Sequence, residues 1–248
     1  MKEERRVLID VHCHIGAMRD IGPRSPGGAC VISRGPQDNA RCIDFARTRG
    51  LVCALFAQPA TPSWAEVCGR VRRREALAYV HPDRIRFADR RQLEPVLRAS
   101  RNARVPLIVH VSRHDRERVP PAQAASWLDY LIEAADGIAL IVSHAGGENC
   151  REVLQRARVL PNILLDLSLW EQTAVRAGCS GGDEMLRILA DNIAPTQYLF
   201  GSDKGWPAPD EVGARVVAAL QPTLGDAAKL LNGNAVRVLR SCSSLPPN

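Results

Sequence analysis

The sequence has little that points to a membrane or to the cell exterior. No apolar run in its 248 residues approaches a bilayer span, and the opening MKEERRVLID lacks the apolar core and small-residue cleavage site of a signal peptide. A cytoplasmic address is therefore expected. The 8 cysteines, Cys13, Cys30, Cys42, Cys53, Cys68, Cys150, Cys179 and Cys242, include no C-x-x-C pair. That spacing argues against a zinc ribbon and against a disulfide framework in so long a chain, and leaves reduced, mostly buried thiols. Lysine is scarce as well: Lys2, Lys204 and Lys229 are all there are. The net charge of +6 is a weak sign of an acidic partner, because its arginine cluster, Arg70, Arg72, Arg73 and Arg74, sits among Glu66 and Glu75. It reads as a solvated helix face, not a nucleic-acid groove.

What is present is ordinary globular composition, 46% hydrophobic and 24% charged, in a chain long enough to bury a substantial core. The runs RVLIDVH (6–12), LVCALFA (51–57), RIRFAD (84–89), VPLIVHV (105–111), IALIVSH (138–144), NILLDLS (162–168) and QYLFGSD (197–203) read as strands. Between them SWAEVCGRVRRREALAYV, QLEPVLRASRNAR and AASWLDYLIEAA carry the apolar spacing of helices. About seven strands buried on both faces predict an α/β fold, a (β/α) barrel of the TIM type, in one domain over 1–248. The Gly/Pro-rich stretch Ile15–Asp38 follows the first strand and is expected as a long loop, either a wall of the active site or a surface insertion.

The polar residues fall at the strand ends. In VLIDVHCHIG, successive side chains of a strand alternate, so His12 and His14 share a face and Cys13 points the other way. Two imidazoles converging from a rigid strand begin a site for a borderline cation such as zinc. His110 closes PLIVH, His144 closes LIVSH and Asp203 closes YLFGSD. In a barrel these ends meet at one rim, and a shared metal satisfies together what would otherwise be several buried polar groups, each needing its own partner. His81, in the HPDR turn, reads as structural, and His114 as a loop residue.

In order along the chain, DVHCHIG, VHPDRIRFA, PLIVH, IVSHAGG, YLFGSD followed by GWP, and LLNGNAVRVL resemble the amidohydrolase-related metal-dependent hydrolases of the amidohydrolase superfamily. The resemblance runs from Ile9 to the region of Leu239. It implies a TIM barrel, a divalent metal held by His12, His14, His110 and Asp203, and His144 as a further ligand or as the catalytic acid or base beside the metal. The chain departs from that pattern twice. Relatives place another βα unit before the PLIVH strand, for which RIRFADRRQLEPVLRASRNARVPLIVH leaves no room. A barrel that is distorted, or that lacks one βα unit between the third and fifth strands, is expected. Members with two bridged metals often use a carbamylated lysine. Here Lys2 is terminal, Lys229 lies in the last helix and Lys204 should point away from the face of Asp203. One divalent ion, with zinc the first expectation, follows.

The chemistry expected is hydrolysis of an amide, lactone or ester of a small molecule by a metal-activated water, with Asp203 as ligand and general base and His144 as acid or oxyanion contact. The alternative is a metal-dependent non-oxidative decarboxylase or hydratase of a small carboxylic acid. Arg24 and Arg113 are candidate contacts for a substrate carboxylate, and Ser168 and Trp170 candidate pocket residues, with Trp170 packing a helix as its other reading. A TatD-like nuclease shares H-x-H but needs an acidic ligand from the strand that is missing from the pattern. A non-catalytic barrel holding a closed structural zinc would favour cysteine ligands. The expected partner is a small-molecule substrate, without nucleic acid or membrane, and a homodimer is left open.

Overall fold

The computed structural model describes residues 8–15, 28–82, 87–112, 121–205 and 210–242. Eight parallel strands, each paired with the next in sequence order, form a nearly closed barrel. They are β1 (Asp10–Cys13), β2 (Ala29–Ile32), β3 (Val52–Phe56), β4 (Leu77–Val80), β5 (Leu107–Val109), β6 (Leu140–Val142), β7 (Ile163–Asp166) and β8 (Tyr198–Leu199). Every strand residue is buried, which is why the runs read as continuous apolar stretches without polar alternation. Around them pack α1 (Asn39–Arg49), α2 (Trp64–Arg72), α3 (Glu94–Ala103), α4 (Pro121–Ala135), α5 (Cys150–Ala157), α6 (Trp170–Arg176), α7 (Gly182–Asn192), α8 (Asp210–Leu224) and α9 (Ala227–Leu239). Each helix buries one stripe. In α3, Val96, Leu97, Ser100 and Ala103 are buried at helical spacing.

The TIM-type barrel is as expected, but the missing βα unit is not missing. Two strands escaped the sequence pattern. ACVI of β2 lies inside the stretch expected as a loop, and four residues are too few to show a period. LAYV of β4 continues an apparent helix in the sequence, yet α2 stops at Arg72. There Arg74 takes a left-handed φ of 62°, and the Arg73 guanidinium donates to Glu75 across the turn. The strand expected at 84–89 is corrected too: its described end, Phe87–Asp89, opens a 3-10 helix. β1 and β2 are joined by residues 14–28, of which 16–27 lie outside the described residues. All 8 cysteines are free, and all but Cys179 are buried. Among the described residues no helix is long and apolar enough to cross a membrane.

The barrel closes irregularly between β1 and the segment after β8. Val11 N donates to Phe200 O at 2.9 Å, Asp203 N to His12 O at 2.8 Å and His14 N to Lys204 O at 2.8 Å. A clip on the Asp10 carboxylate reinforces this seam. Its Oδ1 accepts the N–H groups of His12 and Ser202, and its Oδ2 accepts the Ser202 hydroxyl at 2.6 Å. Burial pushes the Asp10 carboxyl up to about 7 even against these donors. The Ser202 hydroxyl also accepts Lys204 N at 3.1 Å, so the side chain that holds Asp10 of β1 also braces its own turn. Ser202→Ala is expected to lower the unfolding free energy by about 1–3 kcal/mol, the scale of a buried hydrogen bond to a charged group. Urea unfolding with the midpoint and slope both measured checks this, and an unchanged midpoint would show that the seam does not need the clip.

Candidate functional site

The site grows from the closing seam. His12 and His14, on the end of β1, both turn toward Asp203. Asp203 reaches them because its backbone has a left-handed φ of 55°, a conformation that aspartate tolerates better than bulkier residues. Its Oδ1 stands 3.1 Å from His14 Nε2 and 3.3 Å from His12 Nε2. The other ring nitrogens are committed. His12 Nδ1 donates to Asp166 Oδ2 at 2.5 Å, and His14 Nδ1 donates to the Ile32 carbonyl on β2 at 2.8 Å. A carboxylate and a carbonyl only accept, so both Nδ1 atoms carry protons and a neutral ring presents its lone pair at Nε2. Two such lone pairs then face one carboxylate oxygen, an arrangement that requires a cation or a proton between them.

A divalent metal fits this donor set. The observed N···O separations match the ligand-to-ligand spacing of roughly 3.3 Å that tetrahedral bonds of ~2.0–2.1 Å produce. Ring orientation by a second partner on Nδ1 is the usual support of a metal-ligating histidine. In the metal-free state a proton takes this place. Burial alone would lower the His12 pKa, but the Asp166 charge and hydrogen bond, with Asp203 behind them, push it up to about 10. Asp203 moves oppositely: burial would raise it, and donation from His12 and His14 holds it well below the usual carboxylate range.

A second cluster shares His12. The ligand atoms of His12, His144 and Asp166 lie within 4.8 Å of one another, as do those of His12, His14 and Asp203. His144 follows β6 in a left-handed turn that runs through Gly147, and the Thr173 hydroxyl of α6 donates to its carbonyl at 3.2 Å. A side chain on Gly147 would strike Ser112, the residue whose carbonyl receives His110 Nδ1 at 2.5 Å. His110 lies outside both clusters and joins them through His144, with ring centroids 5.1 Å apart. Its other face stacks on His81 at 4.2 Å.

Of the residues singled out in the sequence, His12, His14, His144 and Asp203 are thus brought together, with His110 one ring further on. Ser168 is fully buried behind the histidines, its hydroxyl between Asp166 and His144. Trp170 opens α6 and lies over Gly182 of α7. Lys204 is exposed. Arg24, Arg113 and His114 lie outside the described residues. Asp10 and Asp166 were missed. The signal for the two aspartates was a charge inside an otherwise apolar strand run, which a protein tolerates only with partners. His81, read as a turn residue, follows β4 and is buried against His110.

Two outcomes follow from this packing. An added Cβ at Gly201 would strike Asp166 Oδ1 and lie 2.8 Å from His12 Cβ, so Gly201→Ala is expected to displace the His12–Asp166 pair. Metal affinity should fall by about 10–100-fold, as when an outer partner of a ligand is lost, with the circular dichroism spectrum retained. Metal uptake should also expel the His12 proton. At pH 8, below the His12 value of about 10, the metal-free ring is protonated, so about one proton per metal is released and affinity rises with pH. An indicator dye in weak buffer measures it, and uptake without proton release would remove His12 from the ligand set.

The sequence pattern of the amidohydrolase family matches residues 23–241, a stretch that begins downstream of His12 and His14. Comparison with curated proteins found no match. Among solved structures, an uncharacterized TIM-barrel protein from Bordetella bronchiseptica has a TM-score of 0.65 at 17% identity, covering 86% of this chain and 78% of that one. A dihydroorotase from Campylobacter jejuni has a TM-score of 0.61 at 14% identity, covering 94% of this chain and 83% of the other. A putative 2-pyrone-4,6-dicarboxylic acid hydrolase from Pseudomonas putida has 0.60 at 14%, covering 95% and 98%. These likenesses show the barrel. The match over most of the sequence shows more: the chain belongs to the amidohydrolase family.

Proposed function

We propose that this protein is a metal-dependent hydrolase that cleaves an amide, lactone or ester bond of a small molecule at the His12–His14–Asp203 cluster. The observation that carries the reading is the pair of Nε2 atoms aimed at one Asp203 oxygen while both Nδ1 atoms are held elsewhere. The proposed ligands are His12, His14, Asp203 and, from the end of β5, His110. When bound there, one divalent ion, with zinc the first choice, supplies a Lewis acid that polarises a substrate oxygen and acidifies water.

The chain's own groups do the rest. Asp203 accepts a proton at the carboxylate as charge develops in the reaction. His144, whose Nδ1 is tied to Ser168, turns Nε2 to the reaction, where it accepts a proton as charge develops and then passes that proton to the leaving group. His12, His144 and Asp166 are almost wholly buried, which strengthens these interactions.

Purified protein with its metal content determined, assayed on a panel of small amides, lactones and esters, tests the reading. Asp203→Asn is expected to keep most of the metal while turnover falls by at least about a hundredfold, the scale of a lost general base. Near-normal turnover in that variant would remove Asp203 as base. His12→Ala should lose the metal and remain folded. Carbon dioxide among the products of a small carboxylic acid, with no hydrolysis of the panel, would replace hydrolysis by decarboxylation.

A further inference from the structure

Behind the histidines runs a hydrogen-bonded chain whose proton order is dictated by its members. Asp166 is fully buried. Its Oδ2 receives the His12 Nδ1 proton at 2.5 Å and lies 2.9 Å from the Ser168 hydroxyl, while Oδ1 receives the Ser168 amide at 2.8 Å. Three donors, the His12 ring, the Ser168 amide and the Ser168 hydroxyl, thus converge on its two oxygens, the arrangement of an ionised, acceptor-only carboxylate. An ionised carboxylate has no proton to give, so the single proton of the Ser168 hydroxyl goes to Asp166. The same hydroxyl oxygen stands 2.7 Å from His144 Nδ1. Having spent its proton, it can only accept there, and Nδ1 must carry the hydrogen.

We propose that Ser168 is a positioning residue that joins His12 to His144 through Asp166 and fixes His144 in the Nδ1–H tautomer, leaving Nε2 as its proton-accepting nitrogen. The backbone is built for the same end. Leu169, next to Ser168, has a left-handed φ of 52°, and His144 has one of 55°, so the turns after β7 and β6 bring hydroxyl and ring together. Ser168 then acts on the reaction without touching substrate, in place of the pocket contact expected from the sequence. Asp166→Asn would reverse the order. The amide N–H donates to Ser168, the hydroxyl proton passes to His144 Nδ1 as donor, and the ring keeps its own proton on Nε2.

The catalytic consequence rests on the hydrolase reading, but the tautomer does not. It can be read in metal-free protein labelled with 15N-histidine, above pH 8 where an ordinary imidazole is neutral. The expected wild-type His144 pattern is a protonated Nδ1 and an unprotonated Nε2. Ser168→Ala and Asp166→Asn should move it toward Nε2–H, and Ser168→Thr should restore the wild-type pattern. His14, whose Nδ1 is held by the Ile32 carbonyl, serves as the control that does not move. In the active enzyme, Ser168→Ala should reduce kcat by about tenfold or more with KM within about twofold. An Nε2–H tautomer in the wild type overturns the proposal, and this needs no variant to fold. An unchanged pattern in folded Ser168→Ala overturns it equally. The expected tautomers in a protein that hydrolyses nothing would sink the hydrolase reading alone.

Discussion

The site depends on the seam between β1 and the end of β8. Strand pairing runs from β1 through β8, with a register shift in β1 between Asp10 and Cys13, and the last contact is made by a few irregular backbone bonds, in which the His12 carbonyl receives Asp203 N and the Lys204 carbonyl receives His14 N. These bonds hold the two ligand-bearing segments in register. Had β8 continued as a regular strand past Phe200, Asp203 would follow strand alternation, not the left-handed turn that swings its carboxylate onto both imidazoles. The Gly201 backbone passes so close to Asp166 and His12 that a side chain has no place there.

Placing several charged or chargeable groups in this interior is expensive unless each is paired, and the pairings are what give the site its order. Asp10 closes the seam, Asp166 holds His12 and Ser168, and Asp203 meets His12 and His14. Asp10 and Asp166 therefore lie buried behind the His12–His14–Asp203 cluster and not among the exposed groups a substrate would meet. Breaking one leaves a buried charge without compensation, which explains why support and chemistry cannot be separated residue by residue. The left-handed conformations at His144, Leu169 and Asp203 gather at this same rim, where strain is tolerated because the surrounding bonds over-determine it.

Much of the fold was legible because burial on both faces writes itself into the sequence as uninterrupted apolar runs. IALIVSH and NILLDLS could hardly be anything else. What failed was the short and the masked by context: ACVI has four residues, and LAYV follows an arginine-rich helix with no glycine or proline to mark the end. A positive φ at Arg74 ends that helix, and such a conformation at a non-glycine residue has no sequence signature.

For the site, the sequence by itself determined that histidines and an aspartate would stand at the strand ends on one rim, because strand alternation and parallel order are local consequences of the pattern. His12, His14, His144 and Asp203 gather there, with His110 one ring further on. Only the tertiary structure decided which nitrogen of each ring is available, since that depends on the partner of the other nitrogen: Asp166 for His12, the Ile32 carbonyl for His14, Ser168 for His144. Those partners come from strands as far as 154 residues away in the chain. No periodicity spans such a distance, so the direction of every proton in the site is a property of the closed barrel alone.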